Sequence, residues 1–141
     1  MIRITAFNAH PRYRFPRRET LRLVRCVFKS ERCGDAVCTV VFIDDKQMIN
    51  LNGRFLHHWY STDVLSFPVE EIGKRSVEGE IYVNLDQARR QAREYDVSIR
   101  NEVGRLVIHG ILHLLGYDDK RKDERLKMTM RENVYLDRLS W

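Results

Sequence analysis

Cysteine is scarce in this sequence. The three residues present, Cys26, Cys33 and Cys38, form no Cys-x-x-Cys pair. An odd number of cysteines without paired spacing argues against a disulfide framework and against a zinc site built from thiolates. Cys26 and Cys38 lie in apolar runs, so we expect them to be small core residues.

Long apolar runs are also missing. No stretch approaches the roughly 20 apolar residues that cross a bilayer, and the first ten residues, MIRITAFNAH, lack the apolar centre of a signal peptide. No Pro/Gly/Ser-rich linker, low-complexity run or repeat divides the 141 residues. We therefore expect one domain spanning residues 1–141, a cytoplasmic location and no membrane partner.

Acidic residues are few near the N-terminus. Residues 1–33 carry nine Lys and Arg residues against Glu19 and Glu31, a net charge of +7 in a chain whose total is +5. A local basic surface favours a polyanionic partner, with nucleic acid or a membrane surface as the main options.

Residues 17–32 have the pattern of a helix with a basic stripe. Leu21, Val24 and Phe28 form its apolar face, which we expect to pack on the core. Five basic residues follow at steps of 4, 3, 4 and 3 and share a stripe roughly 80° wide: Arg18, Arg22, Arg25, Lys29 and Arg32. This basic stripe is either an ordinary solvated face or a track for phosphates, with lipid headgroups as a further alternative.

The remaining pattern predicts alternating strands and helices. Strands are expected at 2–7, 36–43, 64–67 (ended by Pro68) and 80–84. Further helices are expected at 45–55 (capped by Asp44 or Asp45), 86–95 (N-capped by Asp86), 98–115 (capped by Ser98) and 123–139. The order β-α-β-α-β-β-α-α-α predicts a mixed sheet with helices packed on it.

The segment HGILHLLGYDD, residues 109–119, is the most informative part of the chain. On a helix, His109 and His113 lie roughly 40° apart and about 6 Å along the axis, so both imidazoles can reach one cation. Gly116 can end that helix and turn the chain back, bringing a carboxylate as a third ligand. This is the geometry of an open, catalytic metal site. The alternative is a histidine pair satisfied near a core.

These residues carry a family resemblance. The run His-Gly-x-Leu-His-Leu-x-Gly-Tyr-Asp, preceded by STDVLSFP at 61–68 and Gly-Glu-Ile at 79–81, resembles the YbeY family of bacterial metal-dependent endoribonucleases and rRNA maturation factors. The resemblance implies an α/β (α+β) domain with a mixed, mostly parallel four-stranded sheet and about five helices. Its central helix would carry a metal site similar to that of zinc peptidases.

Two positions depart from the family pattern. The usual third ligand is a histidine ten residues after the first, and here that position is Asp119. We prefer Asp119 by register, with Asp118 as the alternative. The resemblance implies one zinc ion per chain, and a carboxylate ligand lets manganese or another divalent metal compete. Leu56 replaces an arginine linked in the family to RNA handling, for which Arg54 or His58 are candidate substitutes.

The sequence also argues against a peptidase. Peptidases of the His-Glu-x-x-His type carry their general base directly after the first histidine, where this chain has Gly110. The resemblance implies instead a single-strand-specific endoribonuclease that matures the 3′ end of 16S ribosomal RNA. Its partners would be an rRNA precursor, the small ribosomal subunit and assembly factors.

In the endoribonuclease interpretation, His109, His113 and Asp119 hold the metal, whose open position takes water or a phosphate oxygen. The basic stripe, Thr62 and Asp63 are candidate substrate contacts, although Thr62 and Asp63 are also common turn residues. No side-chain general base is evident. The rival prediction is a ribosome-assembly factor that binds RNA and whose metal is mainly structural. Hydrolysis of another phosphoester is a third alternative.

Overall fold

The computed structural model describes residues 1–71 and 76–139. It contains four strands, β1 (Ile2–Asn8), β2 (Asp35–Ile43), β3 (Val64–Glu71) and β4 (Ser76–Asn84). The helices are α1 (Arg17–Ser30), α2 (Asp45–Leu56), α3 (Leu85–Glu94), α4 (Ile99–Leu114) and α5 (Lys122–Leu139). This order confirms the predicted β-α-β-α-β-β-α-α-α succession.

The strands form one mixed sheet in the order β1-β2-β4-β3. β1, β2 and β4 are parallel, and β3 pairs antiparallel with β4 at the edge. The two parallel pairings confirm the prediction of a mostly parallel four-stranded sheet. β3 follows α2 along the chain. As an edge strand of the sheet, it contacts the central helix α4.

Two strands are longer than predicted. β4 begins at Ser76 rather than Glu80, and β3 continues through Pro68 instead of ending there. Proline has no N–H to give to a ladder, which is tolerated on an edge strand or at an irregularity. The register between β3 and β4 shifts between Pro68 and Glu70.

The helix α4 lies at the centre of the fold, against α1, α3, α5, β3 and β4. Its apolar residues pack on one face of the sheet, where alternate residues of β2 and β4 are buried. Burying each large apolar side chain stabilises the fold by about 1.5–3 kcal/mol. The fully buried apolar members of α4 are Val103, Val107, Ile108, Ile111 and Leu112. The structure thus confirms a single α/β domain with a buried central helix.

Local capping signals were partly predictive. Asp44 forms a capping box with Gln47, and Ser98 caps α4 through Asn101 N–H, as expected. The prediction of Asp86 as a cap was wrong, because Asn84 accepts the N–H groups of Asp86 and Gln87. Asp86 lies in the first turn of α3, where a carboxylate is favoured by the helix dipole.

The basic stripe is less regular than predicted. Arg18, Arg22, Arg25 and Lys29 are exposed on α1, but the helix ends at Ser30. Arg32 follows it with a positive φ of 60°, outside the helix.

No disulfide joins the three cysteines, all of which lie among the described residues. Cys38 is buried in the core as predicted, and this burial raises the pKa of its thiol to about 12. Cys26 is only half-buried, and Cys33 is buried. Among the described helices, none is long and apolar enough to cross a membrane.

Candidate metal centre

The end of α4 and the turn after it bring three candidate ligands together. His109 and His113 lie in the last two turns of the helix. Tyr117 N–H then donates to Leu112 O at 2.9 Å, and Gly116 N–H to His113 O at 3.0 Å. Gly116 has a φ of 99°, a conformation that glycine adopts without a steric penalty. This turn folds the chain back so that Asp119 reaches the two histidines.

The three ligand atoms have the spacing of a metal site. His113 Nε2 lies 3.0 Å from His109 Nε2 and 3.3 Å from Asp119 Oδ2. His109 Nε2 lies 3.4 Å from the same carboxylate oxygen. Ligands about 2.0–2.1 Å from a tetrahedral ion are separated by roughly 3.3–3.4 Å. The donor set therefore fits one divalent ion and leaves room for a fourth ligand.

Hydrogen bonds on the other side of each ring fix which nitrogen faces the centre. His109 Nδ1 lies 2.7 Å from Glu132 Oε2, and His113 Nδ1 lies 3.1 Å from the carbonyl oxygen of Tyr117. Both partners accept, so each neutral imidazole carries its proton on Nδ1. The two Nε2 lone pairs then face each other beside a carboxylate. Such an arrangement is repulsive without a cation and favourable with one.

Glu132 of α5 is a site residue that the sequence interpretation missed. Its side chain is only 3% exposed, and it contacts Arg105 Nη1 at 3.7 Å as well as His109. Arg105 is held in turn by the buried Glu102, at 2.7 Å. Carboxylates that accept from a metal-binding histidine orient the ring and raise its basicity. A lone Glu on a polar helix gives no local signal of this role.

The charges around His109 alter its pKa. Burial disfavours the imidazolium and lowers the pKa, but the hydrogen bond and charge of Glu132, with Asp119 and Asp63, outweigh burial. The pKa of His109 is therefore raised above its ordinary value. A centre that stabilises a proton on this ring also attracts a metal cation.

Gly110 is fixed by packing. A Cβ at this position would lie 2.7 Å from Ile81 Cγ2 and 3.1 Å from Ser66 Oγ. Ser66 Oγ also donates to Gly110 O at 3.0 Å. The position at which peptidases of the His-Glu-x-x-His type keep a glutamate is thus closed by the sheet. The close approach of α4 to β3 and β4 requires a residue without a side chain.

The segment containing Thr62 and Asp63 is held firmly beside this centre. Asn84 Nδ2 donates to Thr62 O at 3.1 Å, and Asn84 N–H donates to Asp63 O at 2.9 Å. Asp63 Oδ1 accepts Val64 N–H at 2.8 Å, in the manner of a turn residue. The Asp63 charge still contributes to the pKa of His109. Asp63 is therefore both a turn residue and a charge near the candidate ligands.

Other predicted contacts lie apart from the ligands. Among the described residues, no hydrogen bond or ion pair joins the basic stripe to the three ligand atoms. Asp118 is not a member of the group, because its Oδ1 accepts the N–H groups of Asp119 and Lys120. Leu56 ends α2 with 42% of its surface exposed.

A small cavity adjoins the candidate ligands. It has a volume of about 140 Å³ and is lined by seven residues: Arg105, His109, Asp119, Arg125, Met128, Thr129 and Glu132. The exposed Arg125 donates from Nη1 to Lys120 O at 2.9 Å, which holds its guanidinium against the ligand-bearing turn. A cation thus lies beside the candidate ligands.

The fold and the site define an α/β protein in which the end of the central helix and the turn after it carry a His-His-Asp group able to hold a metal ion. Residues 11–140 match the sequence pattern of the family described as Endoribonuclease YbeY. The chain belongs to this family, which confirms the resemblance.

Relatives match over most of the chain. The Endoribonuclease YbeY of Chloroherpeton thalassium is 34% identical over 121 residues, covering 86% of this chain and 84% of that protein. That of Aquifex aeolicus is 43% identical over 104 residues, covering 72% and 69%. The solution structure of TM1509 from Thermotoga maritima matches with a TM-score of 0.67 at 29% identity, covering 99% of this chain and 89% of that one.

Proposed function

We propose that this protein is a metal-dependent endoribonuclease that cuts single-stranded RNA. The observation that carries the proposal is the convergence of His109 Nε2, His113 Nε2 and Asp119 Oδ2, 3.0–3.4 Å apart. Family membership supports RNA as the substrate class. Gly110 argues against the peptidase alternative, because the sheet occupies the place of the missing base.

The chain's own residues hold and orient the metal. When bound, the ion supplies a Lewis acid and a lowered pKa for water at the open position. His109, His113 and Asp119 are its ligands, while Glu132 and the Tyr117 carbonyl fix the two rings. Two imidazoles and one carboxylate suit zinc, and manganese is the leading competitor for a site containing a carboxylate.

The charged surroundings support a polyanionic substrate. We propose that Arg125, in the cavity beside His109 and Asp119, contacts a phosphate near the cleaved bond. The segment of Thr62 and Asp63 supplies a further charge near His109, and Asp63 is our candidate for accepting a proton there. The basic stripe on α1 binds the RNA backbone farther from the centre. The family role implies a small-subunit rRNA precursor as the substrate, with its 3′ end as the cleavage region.

Cleavage of labelled RNA tests this proposal. Metal-loaded protein is expected to cut single-stranded RNA faster than a duplex of the same sequence. His113→Ala is expected to abolish cleavage, whereas Asp123→Ala, an exposed carboxylate change on α5, should leave it unchanged. Cleavage by His113→Ala at the native rate would point to a contaminating nuclease and contradict the proposal.

The exposed Leu56 favours a second candidate, an RNA-binding ribosome-assembly factor whose metal is mainly structural. Leucine cannot pair with a phosphate, so the arginine contact of the family pattern is lost at that position. Substituting both His109 and His113 with alanine separates the two candidates. Retained folding and ribosome association with loss of rRNA processing supports the enzyme, while unfolding of the variant supports a structural metal.

A further inference from the structure

An exposed indole lies on the loop that leads to the candidate centre. Trp59 has 66% of its surface exposed, and its neighbour Tyr60 has 57%. The Tyr60 ring lies 5.4 Å from the His58 ring, centroid to centroid. With Phe55 and Leu56 they make four exposed large apolar side chains within six residues, and a larger exposed apolar patch marks an interaction site.

The indole of Trp59 packs against the helix α2. A Cβ added at Gly53 would overlap the six-membered ring of Trp59, so the ring packs directly on the α2 backbone. Gly53 itself is buried. One side of the ring is therefore fixed on the helix while most of its surface remains open to solvent. An aromatic ring held in this way loses little further conformational entropy when a second ring stacks on it.

Hydrogen bonds hold the same loop in place. Asn52 Nδ2 donates to Tyr60 O at 3.0 Å, and Ser61 Oγ donates to Asp45 Oδ1 at 2.9 Å. Trp59 precedes Asp63 by four residues, so their Cα atoms are at most roughly 14 Å apart. Asp63 leads directly into β3, whose Ser66 Oγ donates to Gly110 O at 3.0 Å beside His109, so an RNA strand of a few nucleotides can span from Trp59 to the candidate metal.

The charge of this segment suits an anionic strand. Residues 46–62 contain no Asp or Glu. They do contain two exposed cations, Lys46 and Arg54, and two exposed imidazoles, His57 and His58. Sequence-tolerant recognition of single-stranded nucleic acid uses this combination of cationic groups with aromatic faces on which bases stack.

We propose that Trp59 is a stacking platform for a nucleobase of single-stranded RNA, a few nucleotides from the cleaved bond. This inference rests on the proposed endoribonuclease function and adds a binding residue to it. The indole holds a base by its π face, while the neighbouring cations neutralise phosphates. The platform favours single-stranded over double-stranded RNA, because a base in a duplex must first be unpaired before it can stack on Trp59.

Trp59→Leu and Trp59→Phe form the matched test. Leucine keeps an apolar contact with Gly53 but has no π face, whereas phenylalanine keeps both. Binding is measured by fluorescence anisotropy with full-length, metal-loaded protein and a 2′-O-methyl oligoadenylate of about eight nucleotides, checked for integrity on a gel. Trp59→Leu is expected to bind roughly five- to 150-fold more weakly, since base stacking contributes about 1–3 kcal/mol per base. Trp59→Phe is expected to stay close to the native affinity.

Two controls make the result specific. Phe7→Leu removes an aromatic ring of similar exposure from β1 and should not change the affinity. An abasic oligomer of the same length should bind the native protein and Trp59→Leu equally. In a Trp141→Phe background Trp59 is the only tryptophan, so its emission should be quenched when the oligoadenylate binds.

The outcomes separate this inference from the proposed function. Equal oligoadenylate affinity of native protein and Trp59→Leu, with RNA cleavage intact, overturns the platform alone. Unquenched Trp59 emission at saturating RNA does the same. A concentration-dependent emission shift without RNA, accompanied by dimer formation, would assign the indole to a second copy of the chain and overturn the platform. Native protein that neither binds nor cuts RNA overturns the proposed function itself.

Discussion

Replacing Glu132 with glutamine tests whether the contact between Glu132 and His109 supports metal binding at the candidate centre. The Glu132 carboxylate accepts from His109 Nδ1 at 2.7 Å in a nearly solvent-free position. Glutamine keeps the size and one acceptor but removes the charge. We expect metal affinity to fall about 10- to 100-fold, the usual loss when a partner of this kind is changed. This corresponds to about 1.4–2.8 kcal/mol of binding free energy.

The pH of the measurement matters for this variant. Glu132 raises the pKa of His109, so in the native protein protons compete more strongly with the metal as the pH falls. Removing the charge weakens that competition. The affinity difference between native protein and Glu132→Gln should therefore be largest above the pKa of His109 and should shrink at lower pH.

Competition with a chromophoric zinc chelator at about pH 8 measures the difference. Asp137→Asn removes an exposed carboxylate from the same helix and serves as the control. Thermal melts of the metal-free proteins check that both variants fold. Equal zinc affinity of native protein and Glu132→Gln at this pH would refute the assignment of Glu132 as an orienting residue.

Three further predictions address packing, pH and catalysis. Gly110→Ala should lower the free energy of unfolding by about 1–3 kcal/mol in denaturant titrations, because its Cβ would lie 2.7 Å from Ile81 Cγ2; an unchanged midpoint would contradict the close packing. Arg90, Asn84 and Ser61 hold the pKa of Asp45 at about 2 although burial opposes them. A carboxyl group whose pKa is lowered in the folded state stabilises the fold at pH values above its ordinary pKa near 4. That stabilisation is lost as the pH falls toward 2. Since Asp45 is about one-third exposed, we expect this stabilisation to be about 1 kcal/mol after screening by solvent. Asp45→Asn should not lose this stability in acid, and identical acid titrations of the native protein and the variant would refute this role of Asp45. Asp63→Asn should lower kcat about 100- to 10,000-fold with only a small loss of zinc affinity if Asp63 accepts a proton, whereas an unchanged kcat would remove it from that role.

Local spacing predicted the parts of the site that lie close together in sequence. His109, His113 and Gly116 could be placed because a helix with a glycine turn has a fixed geometry. Register then favoured Asp119 over Asp118, and the structure brings Asp119 to the two histidines. Ser98 and Asp44 were placed as caps for the same local reason.

Features that depend on tertiary packing could not be predicted. Glu132 lies 23 positions from His109 and reaches it only because α5 packs on α4. Asn84 rather than Asp86 caps α3, and the Asp86 carboxylate instead contacts His10 and accepts Asp45 N–H. The stacking of Trp59 on Gly53 likewise depends on how the loop folds over α2.

Native mass spectrometry of the purified protein, with elemental analysis, tests the central claim most directly. The account predicts one divalent metal ion per chain, bound by His109, His113 and Asp119. Asp119→Ala should lose that ion, and Asp123→Ala, on the exposed surface of α5, should keep it. Full metal occupancy in Asp119→Ala, or no bound metal in the native protein after incubation with zinc or manganese, would contradict the account.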